Sequence, residues 1–121
     1  MTYTVKKFLE YVSYPTMSNE SSESCPSSEK QLVLAKRIVE DLKELGLSDA
    51  FVDTHGYVYA TLPANTDQKT PVLGLIAHMD TSDAAPDSPI NARIEHFDGS
   101  DILLSDGILP RDLWHASGLS L

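Results

Sequence analysis

The chain has 121 residues, 41% hydrophobic and 22% charged, which is the composition of a soluble globular protein of at most one domain. Nine Lys and Arg against eighteen Asp and Glu leave a net charge of −9, which argues against nucleic acid and anionic membranes as partners. The single cysteine, Cys25, excludes an internal disulfide and a multi-cysteine zinc site, and the longest apolar run, 72–77, is far short of the roughly 20 residues that span a bilayer.

The opening residues Met1 to Lys7 lack the apolar h-region of a signal peptide, so the expected setting is reducing and cytoplasmic. Val5, Phe8, Leu9 and Val12 fall at i, i+3, i+4 and i+7, one apolar stripe of a short helix, with Lys6, Lys7 and Glu10 off the stripe. Pro15 prevents easy continuation. Six of the eleven residues from Ser18 to Ser28 are serine, which competes for backbone hydrogen bonds and builds no core, so this stretch reads as loop.

Ser28 followed three residues later by Gln31 reads as a capping box. Leu32, Ala35, Ile38, Val39, Leu42 and Leu45 keep a 3.6-residue period, and Gly46 stands where a left-handed cap belongs, so a helix is expected over about 29–45. The period then changes. Residues 51–53 and 57–62 are rich in β-formers and flank Thr54-His55-Gly56, the pattern of a hairpin with Gly56 in its turn. Val72 to Ala77 is continuously apolar, as in a strand buried on both faces. A second hairpin is expected through 93–96 and 101–104, turning at Asp98-Gly99. Residues 105–121 show no convincing periodicity.

The sharpest chemical feature is Ala77-His78-Met79-Asp80-Thr81-Ser82, at the C-terminal end of the expected buried strand. Ligands of open α/β sheets bind outside the carboxyl ends of strands. A neutral imidazole there can bind zinc while a nearby carboxylate orients it. As a bare pattern, His-x-Asp is weak among four histidines and eighteen acids, and a strand-end histidine beside a turn-capping aspartate accounts for the pattern alone better than a metal ligand does. His55 and His96 fall in or near turns and read as solvent-exposed. Cys25 has no basic neighbour to lower its pKa and reads as an inert thiol. Trp114 and His115 lie in the unpatterned tail.

Several segments together resemble the peptidase T family, tripeptide aminopeptidases among the di-zinc metallopeptidases related to aminoacylase and the glutamate carboxypeptidases. The resemblance runs through residues 8–13 and 26–31, through Leu45-Gly46-Leu47 and Phe51-Val52, and most specifically through 56–65 and 74–82. It implies an α/β fold, the N-terminal part of a catalytic domain with a mixed sheet and flanking helices. It implies that His78 binds zinc and that Asp80, as part of the catalytic machinery, fixes that histidine. It also implies hydrolysis of the N-terminal residue from tripeptides, with two zinc ions activating a water and a glutamate as general base. The family's bridging aspartate in a Gly-Ala-Asp-Asp context, its Glu-Glu pair, its further acidic ligand and its distant histidine have no counterpart here. The expectation is an incomplete catalytic domain over 1–121, atypical after about 105, inactive by itself and open to self-association through an uncovered sheet. Two readings of other kinds stand beside it: a small non-catalytic α/β interaction module, and a binder of one metal or small peptide without turnover.

Overall fold

The computed structural model describes residues 1–84, 90, 92–104 and 107–109. Six elements follow in chain order: α1 (Tyr3–Tyr11), α2 (Gln31–Glu44), β1 (Phe51–Val52), β2 (Val58–Tyr59), β3 (Ile102–Leu104) and β4 (Gly107–Leu109).

Helix α2 is the centre of the described structure. It contributes Leu34 and Ala35, which with Ala50 are the buried hydrophobic residues among those described. Its C-terminus is closed as the sequence predicts. Gly46 has φ of +95°, its N–H donates to the Lys43 carbonyl, and the Leu47 N–H reaches back to the Leu42 carbonyl. This pair of bonds is a Schellman motif, and it satisfies carbonyls the helix end would leave open. The N-terminus departs from expectation. No capping box forms: Lys30 is the N-cap and makes no side-chain capping bond. A turn from Ser28 leads into the helix instead, with Gln31, Leu32 and Val33 N–H groups donating to Ser28, Glu29 and Lys30 carbonyls. The Gln31 side chain is engaged elsewhere.

Helix α1 forms where the periodicity places it, and Thr2 caps it by accepting from the Val5 N–H. Its apolar stripe does not become core. No residue of α1 is buried, Val5 and Phe8 are exposed, and Leu9 is only half-buried. The helix instead docks through polar residues. Asp41 of α2, 2% exposed, accepts from Lys7 Nζ (2.7 Å), Tyr11 Oη (2.7 Å) and Arg37 Nη2 (2.6 Å). Glu10 closes the cluster by accepting from Lys7 (2.8 Å) and Arg37 Nε (2.6 Å). A buried carboxylate is tolerable only when paired this fully.

Strands β1 and β2 pair antiparallel, Phe51 opposite Tyr59 and Val52 opposite Val58, against α2. The turn is held by Asp53, whose Oδ1 accepts the N–H groups of His55 and Tyr57, and Gly56 takes φ of +87°. A residue with a Cβ is strained at that φ. The Phe51 and Tyr59 rings stack at 5.3 Å.

Three expectations are corrected here. Residues 72–77 form no strand and are not buried: Val72 is 99% and Ile76 100% exposed. A strand covered on both faces needs ladder partners and packing layers from distant sequence, and no described residue supplies them. Two helices and short strands are compatible with an α/β fragment, but among the described residues the strands make two separate antiparallel pairs and not one mixed sheet. The second hairpin is shifted along the chain. Residues 93–96 form no strand, and β3 pairs antiparallel with β4, Leu103 opposite Ile108. The stretch after 105 thus carries a strand that its weak patterning concealed. Asp98 and Gly99 still make a turn, Asp98 accepting from the Ser100 N–H and hydroxyl. Trp114 and His115 lie outside the described residues.

Candidate functional site

The two residues singled out from the sequence stand together just beyond the exposed apolar segment. His78 Nδ1 lies 2.9 Å from the Asp80 carbonyl oxygen and 3.2 Å from its Oδ1. Both partners can only accept when the carboxylate is ionised, so Nδ1 carries the proton and donates. The ring is then in the tautomer that leaves Nε2 with a free lone pair, and 85% of the side chain is open to solvent.

Asp80 is held from its other side. Its Oδ2 accepts the Ser18 hydroxyl at 2.5 Å. The Ser18 hydroxyl and then the His78 bond keep the Asp80 carboxyl below the usual carboxylate range, against the opposing pull of partial desolvation. The backbone around the pair is tied as well. Met17 and Thr81 form a parallel bridge, in which the Ser18 N–H donates to the Thr81 carbonyl and the Thr81 N–H to the Thr16 carbonyl. Behind that bridge, Gln31 of α2 donates through Nε2 to the Thr16 carbonyl (3.3 Å) and to Ser18 Oγ (3.4 Å).

The sequence pattern singles out His78 and Asp80 as candidates but not Ser18 or Gln31, which the structure bonds to the pair or to its loop. Ser18 was one serine among many in a loop, and Gln31 satisfied the capping pattern. The signal that could have singled them out, proximity across 62 residues, is not local.

The donor chemistry fits one corner of a metal site. A ligating histidine ordinarily donates its second ring N–H to a carboxylate or a carbonyl, as His78 does to both groups of Asp80. It is a corner and not a complete site: among the described residues no group of three His, Cys, Asp or Glu could hold a metal ion. His55 and His96 are exposed, and neither joins His78 in such a group. Exposed Cys25 directs its thiol to the His55 carbonyl. No helix among the described residues is long and apolar enough to cross a membrane.

No family model matches the chain. Among curated proteins it is similar to peptidase T of Caldanaerobacter subterraneus (49% identical over 106 residues), of Clostridium novyi (47%) and of Clostridium acetobutylicum (45%). Each match covers 87% of this chain but 26% of the relative, so the chain spans about a quarter of the length of the curated relatives it matches.

Proposed function

From the premise that this chain is peptidase T-like along most of its length, we propose that it carries one metal-binding corner of a zinc aminopeptidase acting on tripeptides in the cytoplasm. His78 is the ligand, through Nε2. Asp80 fixes its tautomer and ring orientation. The observation that supports this reading most is the bond from His78 Nδ1 to Asp80, the outer-shell arrangement that metal-binding histidines use. Bound zinc would supply Lewis-acid activation of water for attack on a peptide carbonyl. A catalytic zinc takes about three protein ligands and an open position. One matched ligand falls short of that, so the chain by itself is read as inactive.

The test is hydrolysis of a tripeptide by the purified chain in excess zinc, followed by release of the N-terminal residue. No release above the blank is expected, while zinc shifts the imidazole signals of His78. Release that His78→Ala abolishes would overturn the inactivity, and zinc shifts confined to the other histidines would overturn the ligand assignment.

A second reading, a non-catalytic interaction module, is favoured by one observation: Val72, Leu73, Leu75 and Ile76 are all exposed in one uncharged run. An apolar stretch of that kind with unpaired backbone invites β-pairing with another chain.

A further inference from the structure

We propose that Ser18 and Gln31 are positioning residues for the His78 imidazole, acting through Asp80. The inference rests on the reading of His78 as a metal ligand for its functional meaning, but its geometry stands without the metal. Four side chains form one directed chain of hydrogen bonds. Gln31 Nε2 donates to Ser18 Oγ, the Ser18 hydroxyl donates to Asp80 Oδ2, and Asp80 Oδ1 accepts from His78 Nδ1. The direction is fixed by its ends. An amide nitrogen and a protonated ring nitrogen can only donate, and an ionised carboxylate can only accept, so the hydroxyl proton must face Asp80.

The chain of bonds also has an anchor. Gln31 is 7% exposed and sits in the first turn of the helix that holds the core. Its amide spans Ser18 and the Thr16 carbonyl, and that carbonyl also accepts the Thr81 N–H. The loop that carries Ser18 and the segment that carries Asp80 are therefore fastened to the same buried side chain. The imidazole itself is largely exposed and has no packing to hold it. Its orientation depends on hydrogen bonds, and these lead back to α2. The serine-rich loop thereby acquires one residue with a defined task, and Gln31 has a use other than capping.

The experiment is nitrogen-15 NMR of the histidine rings in the full chain, without metal, at a pH where the imidazoles are neutral. Wild type is expected to show His78 as the Nδ1–H tautomer. Ser18→Ala should move it toward the mixture of a free peptide histidine, in which Nε2–H predominates, while His55 and His96 do not change. Ser18→Thr, which keeps the hydroxyl, should restore the wild-type signal, and Gln31→Met should give an intermediate one. Amide spectra of α2 report whether each variant keeps its fold, and the Ser18 pair, at a half-buried loop position, tests the inference even if Gln31→Met unfolds. An unchanged His78 tautomer in Ser18→Ala overturns the proposal, and so does failure of Ser18→Thr to restore it. Added zinc separates the two claims. If zinc leaves His78 unperturbed but the tautomer responds to Ser18, the metal reading fails and the positioning stands.

Discussion

Asp41→Asn tests how α1 is attached. The substitution keeps the size of the side chain and removes its charge. In the wild type, the carboxylate accepts two charge-assisted bonds, from Lys7 at 2.7 Å and Arg37 at 2.6 Å, and one from the Tyr11 hydroxyl at 2.7 Å. A hydrogen bond to a charged group is worth about 1.5–3 kcal/mol and a neutral one about 1. The Arg37 bond lies within α2, so of the two charged bonds only that from Lys7 joins the helices; reducing it to a neutral one, with Lys7 and Arg37 still paired to Glu10, weakens the docking by roughly 1 kcal/mol, a factor of about 5. The loss should be local because α1 buries no residue of its own. Native-state hydrogen exchange read by NMR is the assay. Amides of α1 should exchange about 5-fold faster, while those of Leu34 and Ala35 in α2 change little. Lys7→Met should cost little further in the Asn background. Unchanged α1 protection, or an equal loss in both helices, would refute the view that a polar cluster holds the helix.

Other outcomes follow from the same structure. The Glu10 carboxyl is held below its ordinary range by Lys7 and then Arg37; at Asp41 burial pushes upward, but the Lys7 and Tyr11 bonds and the Arg37 charge outweigh it. Depressed carboxyls stabilise fully above their unfolded pKa of about 4 and lose that as pH falls through the folded values, so acid urea titrations should release α1 first, below about pH 4. Lys7 is raised, chiefly by Asp41 and then Glu10, so its contribution is complete below about pH 10 and fades only in stronger alkali. Gly46→Ala meets no atom within 4 Å, so its cost is that of the positive φ, about 1–2 kcal/mol in thermal or urea unfolding; a neutral result would contradict the Schellman cap. Ile76→Lys should leave the melting temperature unchanged and reduce any self-association seen by sedimentation at micromolar concentration; a destabilised monomer would mean that 72–77 is packed in solution.

What the sequence made legible was local. The α2 periodicity, the left-handed Gly46 and the hairpin turn at Gly56 each depend on a few neighbouring residues, and each is present. The α1 stripe was visible, but its meaning was not. Lys7 and Glu10, off the stripe, make the contact with α2, Lys7 donating to the buried Asp41 thirty-four residues on and Glu10 accepting from Arg37. Residues 72–77 have the composition of a central strand, but composition cannot supply the partner strands, and the described residues contain none for them. The β3–β4 pairing has no clear sequence pattern because Gly107 and Pro110 flank only two apolar residues, Ile108 and Leu109. At the site, His78 and Asp80 were legible because they stand two residues apart. Ser18 and Gln31 reach the same place from other parts of the chain, where no local pattern could indicate them.

The metal-ligand role proposed for His78 belongs to a site that the described residues do not complete. Isothermal titration of the purified chain with zinc tests it most directly, with His78→Ala in parallel. One weak site at most is expected, lost in the variant. Two tight ions per chain would contradict the incomplete site, and an isotherm identical in wild type and His78→Ala would contradict the ligand.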